Sequence, residues 1–173
     1  MVYALIASLL LGAVMTLGDF AWAALHIQHR IAYGLIHGAA MCLCLGLAIG
    51  IRARKLVAAA IAGPVIGVIA AVTFYALVRP MGWGALFPAW MLLWMLFAVV
   101  QQKLENKDRN GTGLMRGIAA ALLSGGAFYL ISGIWTRDSH LHPKLALHFA
   151  AWSFAFLPGF AALFWRRPSR QRP

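Results

Sequence analysis

The side chains able to do chemistry are few, and their spacing groups them. In GDFAWAALHIQHR, residues 18–30, Asp19, Trp22, His26 and His29 recur every three or four residues, so a helix carries them on one face. Arg30, Tyr33 and His37 repeat that spacing in the next segment, and His148 has Lys144 one turn before it and Trp152 one turn after. A carboxylate beside imidazoles can hold a proton, accept hydrogen bonds or pair with an ionisable ligand. Because histidine titrates near neutrality, such a site responds to pH in the physiological range.

Asp19 sits inside an apolar run, where an ionised carboxylate costs about 2.5 kcal/mol or more. It therefore needs a partner, and His37, His148 and Arg30 are the candidates. Two readings compete for this cluster. One is a structural polar clasp. The other is a binding or proton-handling site formed by Asp19, Trp22, Arg30, Tyr33, His37, His148 and Trp152. In the second reading Asp19 is the buried charge, His37 and His148 are its protonatable partners, and Arg30 or Lys144 attracts anionic groups at the mouth.

Metal and haem chemistry form a third class. His26 and His29, at i and i+3, can share a ligand, and the metal candidates are His26, His29, His37 and His148. Histidine with carboxylate suits zinc, copper or iron, and His37 with His148 is the one pair at a depth suited to haem. No compact motif such as HExxH occurs, so no cofactor is required by any motif. His140 and His142 belong to a connecting segment with Pro143. Nucleophilic catalysis has one candidate pair, Ser124 in Leu123-Ser124-Gly125-Gly126 with His148 as base. The serine lies roughly 8 Å deeper than the histidine, too far for a hydrogen-bonded dyad, and no catalytic residue is assigned. Absence of a P-loop excludes an intrinsic ATP-driven cycle.

These residues must be positioned by helices. Of the 173 residues 62% are hydrophobic and 11% charged, and apolar runs of about twenty residues follow one another with short polar breaks. The expected class is an all-α, polytopic integral membrane protein, a six-helix bundle in a single domain. Spans fall at roughly 3–25, 31–51, 56–78, 85–101, 114–135 and 145–165, with residues 166–173 as a basic tail. Ala21-Trp22-Ala23 has the form of a signal-peptidase site, but no Lys or Arg precedes it, so the first run reads as a retained helix.

Orientation follows from the basic residues. With six spans, one side holds eleven Lys and Arg and the other holds Arg30, Arg79, Arg137 and Lys144, which places both termini in the cytoplasm. All six histidines, with Asp19 and Asp138, then lie at or near the opposite side. Asp19, His37 and His148 fall about 5 to 10 Å below that boundary. Trp83, Trp135 and Trp165 stand at span ends, where an aromatic belt belongs.

The net charge of +11 is taken up by orientation and lipid contact, with no nucleic-acid partner. Span two carries Gly34, Gly38, Cys42, Gly46 and Gly50, a small-residue stripe for close helix packing, either within the chain or against an oligomer or complex partner. Cys42 and Cys44, two apart, point in widely different directions on a helix and cannot bridge each other. Pro64, Pro88 and Pro158 are expected to kink or open their helices. Trp90 and Trp94, one turn apart, read as packing or lipid-facing aromatics.

The function that follows is binding or transport of a small amphiphilic or ionisable ligand, such as a lipid, at an outward-facing polar site between spans one, two and six. The localisation that follows from the chain's small size is a bacterial inner membrane. The competing expectations are a structural or assembly subunit of a larger membrane complex, and a metal- or haem-binding membrane protein.

Overall fold

A computed structural model of the chain describes residues 1–25, 29–105, 112–137 and 145–165. Six α-helices account for nearly all of them: α1 (Val2–Ala24), α2 (Arg30–Ala53), α3 (Leu56–Met81), α4 (Leu86–Leu104), α5 (Thr112–Arg137) and α6 (Leu145–Phe164), and no strand occurs among the described residues. Counted by length and composition, five helical stretches can cross a membrane, because Leu56–Leu104 is a single apolar stretch of 49 residues. The chain is thus an all-helical, multi-pass membrane protein. The third and fourth expected spans, 56–78 and 85–101, both fall inside that stretch, which is interrupted once. Gly82 adopts φ 55° at the end of α3, a left-handed value suited to glycine, and a single 3-10 turn, Gly82–Ala85, leads into α4.

The exterior is apolar, as a lipid-facing surface must be. Leu10, Val57, Ile61, Leu130 and Phe154 are all more than 60% exposed. The interior holds large aromatics, with Trp94, Phe97, Phe156 and Phe160 fully buried.

Small residues let the backbones approach. A Cβ placed on Gly67 would meet the carbonyl oxygen of Gly38, one on Gly63 that of Cys42, and one on Gly46 that of Ala59. Numbers on α2 rise as those on α3 fall, so the two helices run antiparallel. The stripe Gly34, Gly38, Cys42, Gly46 and Gly50 is thus filled by α3 of the same chain, and a partner subunit would have to dock on another face. On the other side of the bundle, Gly12 of α1 abuts Ser153 of α6, Gly159 of α6 lies under the Trp94 ring of α4, and Gly117 of α5 meets Ala98 of α4.

The prolines lie within the helices or in a first turn. Helices α3 and α6 continue through Pro64 and Pro158, and α3 also passes Pro80 to end at Met81, three residues beyond the expected end of its span. Pro80 removes one hydrogen bond close to the helix terminus, where few remain to be lost. Pro88 sits in the first turn of α4, where a missing N–H has no intrahelical partner to lose.

Helix α2 ends in a Schellman motif. The Lys55 N–H donates to the Gly50 carbonyl and the Arg54 N–H to that of Ile51, which forces Arg54 into the left-handed region at φ 55°, where glycine is preferred. Because Arg54 is exposed, Arg54→Gly is expected to raise stability by about 1 kcal/mol, measured by unfolding in detergent. A loss of stability would show that the arginine side chain outweighs its backbone strain.

Candidate functional site

Asp19 is five residues from the C-terminal end of α1, His37 seven residues into α2, and His148 three residues into α6. Spacing therefore puts all three about 5 to 10 Å from their helix ends, and packing turns them toward one another. The Tyr33 hydroxyl donates to Asp19 Oδ1 at 2.7 Å, and the Trp152 indole N–H donates to Oδ2 at 2.9 Å. His37 Nδ1 lies 3.5 Å from Oδ1, and His148 Nε2 lies 3.3 Å from Oδ2. Two groups from α2 thus face one oxygen, and two from α6 face the other.

An ionised carboxylate offers about four acceptor positions; two accept hydrogen bonds from Tyr33 and Trp152, and the two imidazoles lie within ion-pair distance of the same oxygens. The Asp19 side chain is 16% exposed and those of His37 and His148 are 16% and 14% exposed, so the cluster is largely removed from solvent. Aromatic rings frame it. Trp22 packs on Tyr33 at 4.7 Å between centroids, Tyr33 on His37 at 5.1 Å and His37 on Trp152 at 5.8 Å.

Of the seven residues expected from sequence, Asp19, Tyr33, His37, His148 and Trp152 form the cluster itself, and Trp22 joins through Tyr33. The backbone of Arg30 opens α2; its side chain lies outside what the structure describes, as do His26, Asp138, His140, His142 and Lys144. His29 is the N-cap of α2 and is exposed, and it takes no part in the contacts of Asp19. Among the described residues no three His, Cys, Asp or Glu side chains gather in a way that could hold a metal ion. Of the metal candidates, His37 and His148 instead each direct one nitrogen to the same carboxylate.

Sequence reasoning missed the floor of the site. Phe20 meets the His148 ring edge-on at 5.6 Å. Beneath Trp152, Phe156 stacks at an interplanar angle of 13°, and Trp90 stacks on Phe128 at 4.1 Å and 4°. Trp90 and Trp94 are 5% and 0% exposed, so both are packing residues and neither faces lipid. Their i, i+4 spacing was the available signal, but which helix they would meet is a tertiary property. Ser124 belongs to the same floor: its hydroxyl accepts from Trp90 Nε1 at 2.8 Å and donates to the Ala155 carbonyl. Ala155 is seven residues beyond His148 on α6, about 10 Å along the axis. The serine's hydroxyl is thus committed far from any base.

No protein-family model matches the chain, and no curated protein or solved structure does either. The functional reading therefore rests on the cluster's own geometry.

Proposed function

We propose that the protein binds or moves a small ionisable or amphiphilic ligand at the polar site between α1, α2 and α6. In this reading the chain has six spans, α3 and α4 being separate crossings divided at Gly82, and both termini are cytoplasmic. The site then opens toward the outer side of what we take to be a bacterial inner membrane. The observation that carries the proposal is the bridge itself: one carboxylate, set in an apolar bundle, joins two imidazoles from different helices. Each ring directs only one nitrogen to Asp19. Proton uptake by either imidazole turns a dipolar contact into an ion pair without moving a helix, so a charged ligand and a proton can be exchanged against each other at one place.

The clasp reading has its own supporting observation, since each oxygen of Asp19 already accepts a hydrogen bond from within the chain and has an imidazole beside it. A charge-removing but shape-preserving variant separates the two. Protein extracted in mild detergent and incubated with polar lipid extract is expected to show a stoichiometric small-molecule or lipid adduct by native mass spectrometry. Retention should change across the titration range of histidine, and Asp19→Asn and His148→Gln should lose the adduct while staying folded. If Asp19→Asn kept both the adduct and its pH response, or if the wild type carried none, the clasp would be the function that remains.

A further inference from the structure

At the opposite end of the same three helices lies a cavity of about 490 Å³, lined by Tyr3 and Ala4 of α1, Arg52 of α2 and Ala161, Phe164 and Trp165 at the end of α6, with Met1 at its edge. Its walls are of two kinds. Tyr3 and Phe164 meet edge-on at 5.3 Å, and the Tyr3 hydroxyl is turned away to the Ala48 carbonyl, so the rings present hydrocarbon to the cavity. Among the described residues of the lining, Arg52 is the one cationic side chain, and its guanidinium lies over the Phe164 ring at 5.4 Å from its centroid.

Arg52 is held in place yet unsatisfied. Its Nε is buried with no hydrogen-bond partner, and among the described residues the ion pairs are both made by Asp19, at the other end of the helices. Glu105, an acid near this end, accepts from Gln101. A guanidinium lying over an aromatic ring with its Nε buried can still offer its two terminal Nη–H groups to an oxyanion. Arg54 and Lys55 follow within three residues and are both exposed, adding positive potential around the mouth.

We infer that this cavity binds the phosphate group of an anionic phospholipid, with the Arg52 fork on the phosphate oxygens and the acyl chain against Tyr3, Phe164 and Trp165. The guanidinium supplies the charge recognition and the aromatic wall supplies the apolar one; a free anion uses only the first. The site is separate from the Asp19 cluster, and its test does not depend on what that cluster binds.

The test compares full-length protein in nanodiscs of phosphatidylcholine doped with phosphatidylglycerol, read by native mass spectrometry after release into detergent. Wild type is expected to retain phosphatidylglycerol over phosphatidylcholine. Arg52→Gln should weaken that retention about tenfold, the ratio expected for one charge-assisted hydrogen bond. Arg52→Lys should fall between the two, because it keeps the charge without the fork. Ala161→Trp fills the cavity from α6 while leaving Arg52 in place, and it should lose the lipid even if Arg52→Gln proves too unstable to purify. Equal retention of both lipids, undiminished retention by Ala161→Trp, or displacement of the lipid by an equal concentration of inorganic phosphate would each overturn the proposal.

Discussion

Replacing Asp19 by leucine is expected to remove about 2–4 kcal/mol of bundle stability, whereas Asp19→Asn should cost about 1 kcal/mol or less. Interhelical polar contacts in membrane proteins average about 0.6 kcal/mol and reach about 1.7, and Asp19 has four such neighbours in a largely dry setting. Leucine leaves all of them facing hydrocarbon at once. Asparagine can be accommodated in one orientation, because the indole of Trp152 is a donor only. The amide oxygen must therefore sit on the Trp152 and His148 side, and the amide N–H groups then face Tyr33 and His37. A hydroxyl can rotate to accept and an imidazole can change tautomer to accept, so the network closes again without the charge. Unfolding in mixed detergent micelles measures both variants. A leucine variant as stable as wild type would show that the cluster ties nothing together. An asparagine variant as damaged as the leucine one would show that the charge itself holds the helices.

The second large effect is at the α2–α3 contact. Gly67→Ala should destabilise by about 1–3 kcal/mol, and Gly67→Val by more. A helix interior ordinarily gains up to about 1 kcal/mol when glycine becomes alanine, so the expected sign is the reverse of what propensity gives. The reason is what the new Cβ would meet: the Gly38 carbonyl oxygen, far inside contact distance and a backbone atom that cannot rotate aside. Gly126 of α5 is the control, since a Cβ there meets nothing within 4 Å. Gly126→Ala should be neutral or stabilising in the same unfolding assay. Equal effects at the two positions would mean that α2 and α3 are free to separate.

The helices were legible because each apolar stretch is long and each break carries charge, glycine or both. The shared level of Asp19, His37 and His148 was legible too, since 1.5 Å per residue converts sequence position into depth once the helix ends are known. Tyr33 and Trp152 followed from lying one turn from His37 and His148. Depth, however, says nothing about azimuth, and neighbours across a bundle are chosen by packing. Thus Trp90 with Ser124, Gly159 with Trp94 and Gly12 with Ser153 had no local signal, and neither did the cavity at Arg52, which joins the beginning of α1 to the ends of α2 and α6. Arg52 read as one more orienting charge because its special feature, an aromatic face beneath it, belongs to a helix more than a hundred residues later.

The same separation governs how the protein can be made. The Tyr33 contact to Asp19 spans 14 residues of chain, but the Trp152 contact spans 133. At translation rates of about 5–20 residues per second, the two arrive roughly 6–24 s apart. During that interval α1 sits in the bilayer with its carboxylate served by α2 alone, and only the emergence of α6 completes the set. Asp19 is therefore a reporter of assembly: a chain halted before residue 145 keeps a half-paired acid in the membrane, and one synthesised to the end does not.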